Sequence, residues 1–433
     1  MKNQPLRVGI AGLGTVGTSL VRVLEDNNET LKSRCGRDIL VCAVNARTKS
    51  KDRGVDMSSY QWVDDPCELA ILEELDTFVE LIGGEDGPAL DATRAALKAG
   101  KHVVTANKAM LAKHGVELAA LAEENGVLLN FEASVAGGIP IIKTMRETLT
   151  ANNIDRVYGI LNGTCNYMLT RMEKEGISYE DCLVDAQKLG YAEADPTFDV
   201  EGFDTAHKLA ILTSLAFGTK IAAEEIYVEG ISSITNADIE AASQLGYRIK
   251  LLGVATKTDT GIEQRVHPTM VPIDSEISQI SGVTNAVAID ADVVGTLVMS
   301  GPGAGGMATA SAVAGDIADI AKCIDGEQNV PSLGKPATEL ADYTRARMQT
   351  HEGGYFIRLE VKDQPGVFAK VATAMADHSI SLESIVQHGM TTDEKTIILI
   401  THETTEAGVR KALEAIEKDD FVARKSQMIR IEK

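Results

Sequence analysis

An α/β fold built on a doubly wound parallel sheet, followed by an α+β unit and a small C-terminal βαββαβ domain, is predicted by three features of the 433-residue sequence. Apolar strand-like runs alternate with helical segments through residues 1–131, a glycine-rich turn joins the first strand to the first helix, and residues 353–433 carry a strand and helix order of their own. Parallel neighbours need crossover connections, and helices usually supply them, so the alternation argues for parallel strands.

The elements follow in order. Residues 6–11 are apolar and strand-like, GLGTVG makes the turn, and residues 19–24 continue with helical spacing. Further strands are expected at 39–44, 77–82, 102–105 and 127–131, with helices at 88–99 and 108–125 between the later ones. This is a Rossmann-type unit. Residues 132–300 read as a mixed substrate and dimerisation domain, helix-rich from 141 to 215 and then strand-like at 264–268 and 283–290. The run GPGAGG at 301–306 opens a helix of small residues, 308–321, suited to close packing on the nucleotide domain and completing it over 301–322. A polar linker is expected at 323–352. The C-terminal domain then reads strand 355–361, helix 367–377, strands 381–388 and 395–402, helix 406–416 and a final strand 421–431.

Composition narrows the function classes. With 42 basic and 63 acidic residues the formal charge is −21, a field that repels phosphate backbones and anionic lipid, so neither nucleic acid nor a membrane is an expected partner. The N-terminus lacks a leader-like pattern, and a cytoplasmic protein is expected. The six cysteines include no CxxC pair, which argues against a zinc cage or a disulfide framework.

The chemistry begins at Gly12, Gly14 and Gly17. With Leu13, Thr15 and Val16 they form a GxGxxG turn between strand and helix, where a helix amino end faces a dinucleotide pyrophosphate. The second strand ends in VNARTK, without the carboxylate that binds a ribose diol, and Arg47 and Lys49 are candidates for a 2′-phosphate. A solvated basic loop explains them equally well, so the cofactor is NADP or NAD. Gly303 is a further candidate cofactor contact. Lys108 opens a helix at the carboxyl edge of the fourth strand, where a doubly wound sheet places its ligand. Asp204 and Lys208, four apart, share one helix face; by spacing alone a salt bridge on a solvated helix is the simpler reading.

TANK at 105–108, FEASVAGGIP at 131–140, GILNGTCNYML at 159–169 and LGYAEADPTFDVEGFDTAHK at 189–208 occur in the order seen in homoserine dehydrogenases, which the chain resembles over residues 6–320. The resemblance implies hydride transfer between a nicotinamide cofactor and the aldehyde of aspartate β-semialdehyde, in threonine, methionine and isoleucine biosynthesis. It makes Lys208 the proton donor, supported by Asp204, and Lys108 a second active-site lysine. It gives Glu193 and Asp199 the substrate ammonium, for which carboxylates are natural partners. It implies a sodium ion on Glu132, Val135, Gly137 and Ile139, through main-chain oxygens that leave almost no signature in a sequence. The C-terminal domain resembles an ACT domain: DQPGVF at 363–368 puts Asp363, Gly366 and Val367 at a helix amino end, with threonine the implied effector and a homodimer or homotetramer the expected assembly. A lysine that accepts the alcohol proton must first be neutral, so homoserine oxidation should accelerate toward alkaline pH. The rival class is a non-catalytic amino-acid sensor, which would have no use for proton-transfer residues.

Overall fold

The computed structural model describes residues 4–323, 330–346, 352–389 and 394–432. The first sheet contains β1 (Leu6–Ala11), β2 (Ile39–Asn45), β3 (Gln61–Trp62), β4 (Thr77–Glu80), β5 (His102–Thr105) and β6 (Leu129–Asn130), in the order β3-β2-β1-β4-β5-β6 with every pairing parallel. The order reverses between β1 and β4, and a ligand crevice opens at such a switch point, beyond the carboxyl ends of the strands. Helix Thr15–Asp26 follows β1 and buries Leu20, Val21 and Leu24. Helix Gly306–Lys322 packs beside it: Ala310, Val313, Ala314 and Ile317 join the same core cluster, and a Cβ on Gly306 would stand 2.6 Å from Ser19 Oγ. The small-residue run expected to close on the nucleotide domain does so.

Strand β4 stops at Glu80, two residues short of the expected 82. The Ile82 and Gly83 N–H groups donate to Glu80 Oε1 (2.7 and 3.0 Å) instead of extending the ladder, and Gly83 and Gly84 adopt φ of +85° and +94°. A side chain thereby takes over from a backbone partner.

A second sheet contains β7 (Ile154–Ile160), β8 (Tyr227–Val228), β9 (Tyr247–Thr258), β10 (Gly261–Pro272), β11 (Thr284–Ala291), β12 (Gly295–Pro302), β13 (Glu352–Lys362), β14 (Leu382–Gly389), β15 (Glu394–Thr401), β16 (Thr404–Thr405) and β17 (Gln427–Ile431). Its path runs β12-β11-β7-β9-β10-β17-β13-β15-β14. Strand β7 lies inside the stretch expected to be helix-rich; Val157 and Ile160 are buried while Asp155 is exposed, but the window is too short to outweigh its helical surroundings. Helix Phe203–Phe217 lies on this sheet, where the missing side chain of Gly253 leaves room for Thr205 and Leu209.

The C-terminal unit has the expected order of strands and helices, with helices Val367–Asp377 and Glu406–Ile416. Its last strand begins at Gln427; Val422, in the expected strand, makes only an isolated bridge to Val361. Strand β17 pairs antiparallel with β13 and parallel with β10 (Thr269↔Arg430, Met270↔Ile431), so the C-terminal and central sheets are continuous. Of the stretch read as a linker, 324–329 and 347–351 lie outside the described residues. Residues 330–346 lie against the central unit, with Leu333, Ala337 and Leu340 buried and the Lys220 N–H donating to Ala341 O (2.8 Å).

Candidate active site

The loop after β7 and the first turn of helix Phe203–Phe217 converge on a buried polar cluster. Asp204 and Lys208 are only 5% and 8% exposed, which rules out an ordinary surface salt bridge. Burying such a pair costs several kcal/mol of desolvation per ion in round terms, so it is poor evidence of stabilisation and better explained by chemistry. Lys208 Nζ donates to Asp204 Oδ2 and to Leu161 O, both at 2.7 Å. The other carboxylate oxygen, Oδ1, pairs with Lys108 Nζ at 3.1 Å. One carboxylate thus bridges both lysines predicted for the site.

Asn162 connects this pair to Asp199. Its Nδ2 donates to Asp199 Oδ1 (2.8 Å) and Asp204 Oδ2 (2.9 Å), and its Oδ1 accepts from the Cys165 N–H (2.8 Å), capping helix Gly163–Glu175. Burial alone would raise the Asp204 carboxyl, but the Lys208 and Lys108 ammoniums and the hydrogen bonds from Lys208 and Asn162 outweigh it and hold the group well below the usual carboxylate range. Burial wins at Asp199, whose carboxyl is raised despite the Asn162 hydrogen bond. Two neighbouring carboxyls are therefore pushed in opposite directions, a common property of acid and base sites.

The nucleotide cradle lies at the switch point. A cavity of about 430 Å³ is lined by Gly12, Leu13, Gly14, Arg47 and Arg53, among others. Gly12 has φ +100°, and a Cβ there would stand 2.3 Å from Leu81 O; one on Gly17 would stand 1.9 Å from Gly12 O. Gly14 meets nothing within 4 Å and leaves the helix start without a side-chain cap, so first-turn N–H groups remain for an anion. These residues fit a dinucleotide pyrophosphate. Thr15 and Val16 begin the helix itself.

Comparison with known proteins agrees with this fold. The model described as "Homoserine dehydrogenase, NAD binding domain" matches residues 12–132, the one described as "Homoserine dehydrogenase" matches 140–318, and an ACT domain model matches 355–421. Homoserine dehydrogenases of Neisseria gonorrhoeae and Pseudomonas aeruginosa are 44% and 45% identical, each alignment covering 99% of both chains. The crystal structure of a homoserine dehydrogenase from Thiobacillus denitrificans superposes with a TM-score of 0.94 at 44% identity, covering 100% of this chain and 99% of that one. The chain belongs to the homoserine dehydrogenase family. It is an oxidoreductase that interconverts homoserine and aspartate β-semialdehyde with a nicotinamide cofactor.

The other residues expected from the sequence are spread more widely. Glu193 is exposed in the loop before helix Thr197–Val200; its carbonyl accepts from Gln187 Nε2 (3.0 Å), and its carboxylate makes no hydrogen bond or ion pair among the described residues. Lys49 stands over the Trp62 ring, 5.7 Å from its centroid, whereas Lys51 and Arg53 line the nucleotide cavity with Arg47. Gly303 packs on Asn285 and on Gly137, where a Cβ would stand 2.5 Å from Gly303 O. Glu132, Val135, Gly137 and Ile139 are all buried, Val135 within the short helix Ala133–Ala136, Glu132 and Gly137 at its two ends and Ile139 in the turn that follows, the Ile139 carbonyl accepting from Ile141 N–H (2.8 Å). The Glu132 carboxylate accepts from Ile142 and Lys143 N–H, both at 2.8 Å. In the ACT domain Gly366, with φ +88°, precedes helix Val367–Asp377, Val367 is buried, and Asp363 lies 3.4 Å from Lys395.

Sequence reading missed three groups. Asn162 stood in a quoted motif without a role; Asn with a helix directly after it signals a cap, but not the second use of its amide. Glu80 is fully buried and accepts from Thr105 Oγ1 (2.5 Å), while the Thr105 hydroxyl accepts from Asn107 N–H (3.0 Å) and Asn107 Nδ2 donates to Gly84 O (2.7 Å). This chain of bonds ties the loop after β4 to the start of the Lys108 helix. Arg53 donates to Leu13 O (3.1 Å) and Thr48 O (2.7 Å), joining the basic loop to the glycine turn.

Proposed function

We propose that Lys208 exchanges the proton with the substrate oxygen while Asp204 fixes its ammonium and that of Lys108 on either side of the reacting group. The observation that carries this reading is the division of labour on one carboxylate, Lys208 at Oδ2 and Lys108 at Oδ1, in a buried setting. An ammonium has three donors, and two of those on Lys208 are used by Asp204 and Leu161 O, which leaves one for a substrate oxygen. In the reducing direction that donor stabilises the developing alkoxide and then protonates it. Asp199, held by Asn162, and Glu193 of the neighbouring loop receive the substrate ammonium. The nicotinamide cofactor supplies the hydride chemistry at the carbonyl carbon.

Arg47, Lys51 and Arg53 beside the ribose end of the cradle support NADP as the working cofactor. The carbonyls of residues 132–139 support sodium, the C-terminal domain supports regulation by threonine, and exposed Val283, Val293 and Val294 beside the central sheet support a homodimer or homotetramer.

The test is Lys208→Ala and Lys108→Ala. Lys208→Ala should lower kcat by about 10²- to 10⁴-fold, the usual size of a general-acid contribution, while cofactor fluorescence titration shows binding retained. Near-normal turnover would remove Lys208 from the chemistry. Initial rates with NAD⁺ and NADP⁺, each with and without L-threonine, address the cofactor and the effector on the same plate.

A further inference from the structure

Asn285 is 2% exposed, and its Oδ1 is buried without a hydrogen-bond partner among the described residues. A buried acceptor left unpaired is costly, and folded chains rarely keep one unless another group answers it.

The position of this amide indicates which group that is. Asn285 lies on β11, which pairs antiparallel with β7 through Ala286↔Ile160. One step further along the register it stands beside Leu161, whose carbonyl accepts from Lys208 (2.7 Å). Its side chain sits between two glycines. A Cβ on Gly303 would stand 2.1 Å from Asn285 Cγ and Nδ2, and one on Gly163 would stand 3.4 Å from Oδ1. Gly163 opens the helix that Asn162 caps, and Gly303 begins the turn into helix Gly306–Lys322.

The same turn reaches the nucleotide cradle. A Cβ on Gly306 would stand 2.9 Å from Thr15 Cγ2 and 3.2 Å from Thr15 O, at the helix end that faces the pyrophosphate. A dinucleotide that spans from this end to the carbon served by Lys208 must cross residues 303–306, beside Asn285. Ala304 and Gly305 are exposed, and glycine at 303, 305 and 306 lets the turn adjust to a ring at little steric cost.

Three groups around the reacting carbon can donate a hydrogen bond. The substrate hydroxyl faces Lys208, and the substrate ammonium faces Asp199 and Glu193. The third is the carboxamide NH₂ on the nicotinamide ring, a donor that a lone amide oxygen can accept from. We infer that Asn285 Oδ1 accepts from this carboxamide and so sets how the ring is turned toward the substrate. The assignment rests on placing Lys208 at the substrate oxygen; it is tested by binding without turnover, so the two can fail separately.

Calorimetric titration of the full-length protein with NAD⁺, NADP⁺ and the 3-acetylpyridine analogue of each tests it. The analogue keeps the ring carbonyl and replaces the NH₂ by a methyl group. Wild type should bind the carboxamide cofactors about tenfold more tightly than their analogues, and in Asn285→Leu this preference should shrink to about twofold or less. ADP-ribose, which has no ring, should bind both proteins equally. Leucine keeps the shape of asparagine and leaves no acceptor unpaired, so the cofactor-free variant should melt no lower than wild type. Asn285→Asp keeps an oxygen at the same place and should retain the preference; circular dichroism checks that each variant is folded. A wild type indifferent to the analogue would overturn the assignment, as would an equal preference in wild type and Asn285→Leu. A variant that melts lower with its preference intact would make Asn285 merely structural, and weaker homoserine binding with that preference intact would give Oδ1 to the substrate; either result overturns the carboxamide contact.

Discussion

Replacing Asn162 by serine separates two roles that one side chain performs. A serine hydroxyl can still accept from the Cys165 N–H as an N-cap, so helix Gly163–Glu175 keeps its start. It is too short to reach Asp199 and Asp204, and the hydrogen bonds at 2.8 and 2.9 Å are lost. Each bond to a charged group is worth about 1.5–3 kcal/mol. If one of the two is felt in the reaction, kcat/KM for homoserine falls by roughly 10- to 150-fold, at 1.36 kcal/mol per factor of ten. The pH dependence supplies a second readout. Burial already raises the Asp199 carboxyl and the Asn162 hydrogen bond lowers it, so removing that bond raises it further. Asp199 must be ionised to hold an ammonium, so the acid-side decline of kcat/KM should begin at higher pH in Asn162→Ser than in the wild type. Initial rates of homoserine oxidation across a pH series measure both effects, and a thermal melt checks the fold. A folded Asn162→Ser enzyme with kcat/KM within twofold of wild type and an unmoved acid limb would refute the reasoning. Asn162→Ala should add about 1 kcal/mol of destabilisation through the lost cap.

Glu80→Gln keeps one carbonyl-type oxygen but presents an amide to the Thr105 hydroxyl, weakening the tie between the loop after β4 and the Lys108 helix. It should destabilise by about 1–3 kcal/mol in urea unfolding and raise the cofactor KM while lowering kcat; a change in stability with kinetics untouched would make Glu80 merely structural. The Asp316 carboxyl is pushed up to about 8, first by burial and then by the charge of Glu132. A carboxyl whose folded value is raised contributes stability that is full below the ordinary value of about 4 and is lost as pH rises toward 8, so the wild-type melting temperature should decline over that window. Asp316→Asn retains an acceptor for the Glu132 N–H and should flatten the decline; parallel curves for the two proteins would refute it.

What was legible in the sequence depended on whether the signal was local. Five strands of the first sheet could be read because each is a short apolar run ended by glycine or a cap, and their parallel sense follows from the helices between strands, whereas β3, the two residues Gln61–Trp62, was not expected because it is neither apolar nor long enough to show a period. The β4 boundary was misjudged because Ile82 is apolar and strand-like, and only the fold brings the Glu80 carboxylate round to its N–H. The same limit applied to Lys49 and Arg53. Both are basic residues on one loop, and both stand over the Trp62 ring, so periodicity gives no means of choosing between them; only the guanidinium of Arg53 also spans from Thr48 O to Leu13 O.

The pairing of β17 with β10 was beyond reach for a further reason. The final strand has the composition of any edge strand, and Arg430 looks like a solvated charge. In the fold Arg430 is 1% exposed and, with Arg265, meets the Glu406 carboxylate at 2.6–2.7 Å, so a strand of the ACT domain and a strand of the central domain bury a shared ion cluster. Removing one member of such a cluster leaves a buried charge without its partner, at a cost of about 3–5 kcal/mol, whereas the intact cluster adds little net stability. The arrangement therefore favours a fixed register between the two domains over tight adhesion. A domain held in register can transmit a displacement, and one tethered only by a flexible linker cannot.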